Sequence, residues 1–363
     1  MAMRQLKPLT SLRAFFALWV LCRHWFHTYV TEGAVFDVAF GGTFSSHGYL
    51  GVDGFFVLSG FILMYNYCPP EGGRLDMRRF IVARIARIYP AHVACLILFA
   101  VAVVARDYLI HKNVLGVGLF TAGNFVLELF LLSAWRYSGA TGWNDVSWSV
   151  SAEWFAYVFF PVFMLAAPRY KTSRILAVAA VALAALGIVE ATSGEHLSLS
   201  GGLCRLVPEF LLGVLLCRLR EARRDYAGWA FGGIASLALC GVAIAINVDT
   251  LFVAGAGCLI FSLSYEKDLL TRPLSVSWLT FMGEVSYCIY IVQRIPEYLF
   301  LFARGRFAAI AQMPVAGQVT LLLGITLLAA LLLHFTVEKP MRAFIQARTR
   351  RRTKPADSLA TIS

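Results

Sequence analysis

Eleven apolar runs divide this chain: 9–30, 50–67, 80–104, 119–135, 147–167, 175–191, 203–217, 229–246, 251–265, 279–301 and 315–336. Most are close to 20 residues, the length at which a helix crosses a hydrocarbon core of about 30 Å. A bilayer admits only elements that close their own backbone hydrogen bonds. Hydrophobic residues make up 59% of the 363 and charged residues 15%, with a mean hydropathy of +0.70. A water-soluble fold of this length could not hide so much apolar surface. The sequence therefore predicts an all-α, polytopic integral membrane helix bundle.

The net charge of +11 lies largely in short basic clusters between the runs. These are Arg4 with Lys7; Arg74, Arg78, Arg79, Arg84 and Arg87; Arg169–Arg174; Arg218–Arg224; and a tail with Arg348, Arg350, Arg351, Arg352 and Lys354. Such clusters mark cytoplasmic loops rather than nucleic-acid contacts. If all eleven runs crossed, the Arg169–Arg174 and Arg218–Arg224 loops would face outward. Ten crossings put every cluster on the cytoplasmic side, with both termini. The expectation is thus about ten transmembrane helices, with 119–135 a re-entrant segment whose Gly123, Asn124 and Glu128 suit burial in protein. Residues 1–340 read as one membrane domain and 341–363 as a basic, disordered cytoplasmic tail. The eight cysteines are scattered without a CxxC, so they read as small core residues, not disulfides or metal ligands. The first run is too long for a cleavable signal peptide and lacks a small-residue cleavage site.

Ionisable groups inside such runs are costly, by about 2.5–3.5 kcal/mol on insertion scales, and so suggest function. Arg13 and His24 are 11 residues apart in the first run, close to three full turns. They share a helix face, about 16 Å apart along the axis. In the predicted topology His24, Asp53 of the second helix and Glu153 of the WSVSAEW segment come to similar outer depth, and Ser59 lies near the middle. Arg84 and Arg87, spaced i, i+3, share a face at the cytoplasmic start of the third helix, where arginines can grip phosphates bidentately. Asp53 also fits a cap on its helix dipole, and Glu153 an internal salt bridge. Arg205 and Glu209, spaced i, i+4, are expected to pair with each other. On this evidence an enzyme and a transporter or flippase of glycolipids or small anions both remain open.

These residues also carry a resemblance. LTSLRAFFALWVLCRHW is similar to the Arg-x10-His motif of the acyltransferase 3 family, through Arg13 and His24. GYLGVDGFFVLSGFIL resembles that family's second-helix signature. RRFIVARIARIYP matches through Arg84, Arg87 and Pro90, and WSVSAEWFAYVFFP through Glu153. GEVSYCIYIV and Glu338-Lys339-Pro340 also fit. The resemblance implies a membrane-bound O-acyltransferase of the bacterial inner membrane. Its donor would be a cytoplasmic acyl-CoA, most often acetyl-CoA, with no metal. Its acceptor would be a hydroxyl of an envelope or extracellular polysaccharide, or of a lipid-linked oligosaccharide, with polysaccharide export machinery as a neighbour. His24 is then the general base or covalent acyl acceptor, with Glu153 and Asp53 as its catalytic partners. Arg13, Arg84, Arg87 and Ser59 would hold the donor. Three positions depart from the family pattern: Ala14 replaces a usual glycine, Glu153 is followed by Trp154 rather than a second Glu, and Gln293 stands where histidine is common. The last concentrates the proton chemistry on His24.

Overall fold

The computed structural model describes residues 5–29, 43–68, 74–110, 115–116, 118–135, 142–167, 171–193, 197, 202–223, 230–265 and 267–352. No strand occurs among them. In chain order the helices are α1 (Lys7–Tyr29), α2 (Thr43–Ser46), α3 (Leu50–Tyr67), α4 (Met77–Ile110), α5 (Ala122–Leu129), α6 (Ser147–Val158), α7 (Phe160–Ala166) and α8 (Thr172–Ser193). They continue with α9 (Gly202–Ala222), α10 (Gly232–Ala245), α11 (Asp249–Leu263), α12 (Ser277–Val292), α13 (Arg294–Arg304), α14 (Ala308–Ala311), α15 (Val315–Leu333) and α16 (Lys339–Arg352). A π-helical turn, His334–Glu338, joins the last two. Arg4, Arg169 and Arg224, which enter the topology argument, lie outside the described residues, as do 353–363.

Four stretches are long and apolar enough to cross a membrane: Leu50–Tyr67, Met77–Leu109, Thr172–Ser193 and Val315–Thr349. The α6–α7 pair makes a fifth if its 63° bend lies within one span. Pro161 explains that bend, since it has no N–H for the Tyr157 carbonyl and its ring crowds that oxygen. α1 and α9, which carry Arg13, Arg23, Arg205 and Glu209, are not among the four. α10 and α11 have 14 and 15 residues, about 21–23 Å. Outward faces are apolar: Leu176, Val181 and Ile188 on α8 and Leu328 and Leu332 on α15 are exposed. That inverts the water-soluble pattern and marks a membrane helical protein.

Tight crossings hold the bundle centre. Gly60 of α3 abuts the Phe210 carbonyl of α9, and Gly213 of α9 abuts the Val57 carbonyl of α3. A Cβ at either would overlap the partner backbone. Small residues at helix contacts allow this approach, and dispersion then acts between whole backbones. Gly283 of α12 meets the Thr10 carbonyl of α1 in the same way. Gly51 of α3 likewise abuts the Phe16 carbonyl of α1, so these crossings set α9, α3, α1 and α12 side by side.

Within 119–135, α5 has eight residues, about 12 Å, too short to cross. Glu128 ties it inward: its carboxylate accepts from the Asn144 N–H at 2.9 Å and the Ser147 hydroxyl at 3.3 Å. His92 Nε2–H donates to the Glu128 carbonyl at 2.8 Å. Two expectations need correction. Residues 341–352 are helical in α16 rather than disordered, because good helix formers (Met341, Ala343, Gln346, Arg348) carry on from the π turn. The 279–301 run is two helices, α12 and α13, parted at Gln293. Pro296 causes the break by withholding an N–H from the Val292 carbonyl.

Candidate active site

A cavity opens between α1, α3, α4, α6 and α12. Its wall includes Arg13, Ser59, Arg84, Arg87 and Glu153, all nominated by the sequence. His24 and Asp53 do not line it. The α3 residues on the wall run from Val52 to Leu63, roughly 16 Å along the axis. Tyr157, Tyr287, Tyr290 and Ser149 add the remaining polar lining.

The three arginines are not equivalent. Arg87 is ion-paired with the buried Glu338 and also donates to the Glu284 carbonyl at 3.2 Å. The π turn puts His334 and Glu338 on one face, where His334 Nδ1 is 2.7 Å from Glu338 Oε2. The Cys288 thiol donates to that same oxygen at 3.1 Å. Arg84 donates from Nη2 to the Tyr67 hydroxyl at 2.9 Å, and its guanidinium lies 5.1 Å from the Tyr67 ring centre and 5.7 Å from that of Tyr157. Arg84 Nε is buried with no hydrogen-bond partner among the described residues. Among the described residues neither Arg84 nor Arg13 has a carboxylate partner, and Arg13 makes no hydrogen bond with any of them. Two cations thus face the cavity without an ion-pair partner among the described residues, with Glu153 the carboxylate on the same wall, and an anionic ligand would add the contacts they lack.

Cys288, His334 and Glu338 bring ligand-type atoms within 4.8 Å of one another. By residue type they could hold zinc. Their hydrogen bonds already close the cluster, and a dication there would face the Arg87 guanidinium.

Glu153 meets Ser59, whose hydroxyl donates to Oε1 at 2.5 Å. The expectation that Glu153 or Asp53 orients the His24 ring is corrected, because neither hydrogen-bonds it. Gln293 does: its Oε1 is 3.2 Å from His24 Nδ1. Gln293 Nε2 donates to the Tyr290 carbonyl at 2.9 Å, so His24 stands just behind the Tyr290 part of the wall. Arg294 follows directly and grips Asp145 with two bonds, Nε to Oδ1 at 2.7 Å and Nη2 to Oδ2 at 2.8 Å.

Asp53 is fully buried and bound by Arg205 Nε and Nη2 at 3.0 and 2.6 Å. The expected Arg205–Glu209 pair gives way to this cross-helix pair. The close α3–α9 crossing brings Asp53 within reach of two guanidinium donors at once. Both Glu209 carboxyl oxygens lack hydrogen-bond partners among the described residues.

The acyltransferase 3 family model, described as an acyltransferase domain, matches residues 8–334. The chain belongs to this family. Among relatives, a protein of Staphylococcus aureus (strain COL) named as a putative O-acetyltransferase is 24% identical over 330 residues, covering 80% of this chain and 50% of its own length. The chain thus spans about half the length of that relative. Acyltransferase MdmB of Streptomyces mycarofaciens is 26% identical over 386 residues, with 97% of this chain and 95% of MdmB covered. YrhL of Bacillus subtilis (strain 168), named as a putative peptidoglycan O-acetyltransferase, is 31% identical over 144 residues, 38% of this chain and 23% of YrhL. No solved structure matches.

For this acyltransferase family member, sequence reasoning missed Gln293 as a partner, reading it only as a lost histidine. It also missed the wall tyrosines Tyr157, Tyr287 and Tyr290. Their spacing gave a signal: Tyr287 and Tyr290 are i, i+3 and so share one face of α12.

Proposed function

We propose that this protein is a membrane-bound O-acyltransferase that moves an acyl group, acetyl by preference, from cytoplasmic acyl-CoA to a hydroxyl of an envelope or extracellular polysaccharide or its lipid-linked precursor. The observation that carries this reading is the pair of arginines without an ion-pair partner among the described residues, Arg13 and Arg84, on the wall of a cavity that also holds Ser59 and Glu153. Arg13 and Arg84 grip donor phosphates, and Arg87, held by Glu338, shapes the same end. The flexible arm of the donor then lies along α3 toward Tyr290, bringing the thioester near His24. His24 takes the acceptor proton as general base. The acetyl preference and the hydroxyl acceptor are supported by the names of the Staphylococcus and Bacillus relatives.

The accompanying topology is ten crossings with both termini cytoplasmic. Its support is the charge of the loops and the shortness of α5. Reporter fusions after Arg174 and after Arg224 both read cytoplasmic in this arrangement; an external reading at both sites removes it.

The direct test is the purified full chain with acetyl-CoA and an oligosaccharide from the producing cell's envelope, read by mass spectrometry. Ester formation that disappears in His24→Ala, with CoA binding retained, is the expected result. Ser59→Ala lowers turnover by freeing the Glu153 carboxylate. Movement of the oligosaccharide across vesicles with no covalent change would make the protein a transporter instead.

A further inference from the structure

We propose that Gln293 is a positioning residue that holds the His24 imidazole as the Nδ1–H tautomer, so that Nε2 carries the lone pair used on the acceptor. The assignment rests on the acyltransferase reading for its consequence, but its geometry stands apart from it.

The amide orientation is the first link. Gln293 Nε2 donates to the Tyr290 carbonyl at 2.9 Å. The other amide atom facing His24, 3.2 Å from Nδ1, is therefore the oxygen. An amide oxygen only accepts, so Nδ1 must donate, and in the neutral ring the lone pair sits on Nε2. The second link is rigidity. Gln293 is fully buried, and it sits at the break that Pro296 imposes between α12 and α13. That break frees carbonyls at the end of α12. Gln293 takes that of Tyr290, and Asn144 Nδ2 takes that of Ile291 at 3.0 Å. The side chain is thus pinned by a backbone group that needs a donor. A histidine here would present a ring nitrogen instead, with its own choice of tautomer; glutamine has no such freedom once its nitrogen is engaged.

The chemistry follows. The acceptor hydroxyl gives its proton to His24 Nε2 as its oxygen bonds to the thioester carbonyl carbon. The tetrahedral species collapses with cleavage of the carbon–sulfur bond, and the departing thiolate recovers the proton from Nε2–H. Ester and thiol form, and no net proton is consumed. Throughout, the Nδ1–H bond to Gln293 keeps the ring from turning its lone pair away.

The test uses the full chain in detergent with 15N-histidine, the His24 signals being assigned by their loss in His24→Asn. The neutral His24 ring of the parent should show protonated Nδ1 and bare Nε2. Gln293→Met, close in size but with no acceptor, should lose this pattern and lower turnover at least tenfold, with CoA affinity within twofold of the parent. A protonated Nε2 in the neutral parent overturns the assignment. So does an unchanged tautomer in Gln293→Met, whatever its turnover. The spectrum needs no catalysis, so a parent that forms no ester would defeat the acyltransferase reading without touching this result.

Discussion

Arg205 and Arg84 both lie within apolar helices, and the structure treats them in opposite ways. Arg205 has its counter-charge in the chain: Asp53, across the α3–α9 crossing, accepts two of its N–H bonds. Arg84 has a tyrosine hydroxyl and aromatic rings around it, no carboxylate, and an unpartnered buried Nε. The lesson is that depth in a membrane helix does not separate a structural arginine from a ligand-binding one. The supply of anion does. Where the protein provides it, the pair belongs to the fold; where it does not, the charge awaits something from outside. Arg13 falls with Arg84, and Arg87, paired with Glu338, lies between the classes.

The largest effect expected from this contrast is on stability at Asp53. Asp53→Ala removes the carboxylate that accepts both Arg205 N–H bonds and leaves Glu209, which does not hydrogen-bond it, as nearby negative charge, a loss of about 3–5 kcal/mol. Thermal unfolding in detergent would read it, and the double change Asp53→Leu with Arg205→Met should recover most of it. Failure of that recovery would mean the pair does more than neutralise charge. Arg84→Ala should behave the other way round. It loses about 1.5–3 kcal/mol of donor binding, ten- to hundredfold in affinity, with a smaller change in melting temperature than Asp53→Ala gives. The smallest effect belongs to Glu221, which pairs with Arg218 at 2.7 Å and is partly exposed. Arg218 also donates to the Ala167 carbonyl at 2.9 Å, so Glu221→Ala should cost about 0–1 kcal/mol. A large loss there would blur the division between paired and unpaired arginines.

The sequence made the helices legible because apolar runs near 20 residues leave a chain few alternatives. It also brought Arg13, Ser59, Arg84, Arg87 and Glu153 to notice, all of which meet in one cavity. Partnerships were less legible. The i, i+4 spacing suggested Arg205 with Glu209, but spacing along one helix cannot register a glycine-mediated crossing that delivers Asp53 from another. Likewise His24 finds Gln293, 269 positions away, through a helix break whose only local sign is Pro296. The pairing of Ser59 with Glu153 needed α3 and α6 side by side. The 341–352 part of the tail reads as disordered from its charge, which conceals the helix propensity that makes it α16.

The most direct test of the central claim is calorimetric titration of CoA into the purified parent, Arg13→Ala, Arg84→Ala and a control, Arg272→Ala, which changes an exposed arginine away from the cavity wall. The account predicts that each cavity variant weakens binding ten- to hundredfold, more steeply at low salt, while Arg272→Ala matches the parent. Equal CoA affinity in all four proteins, each shown to be folded, would contradict it and leave Arg13 and Arg84 without an anion to hold.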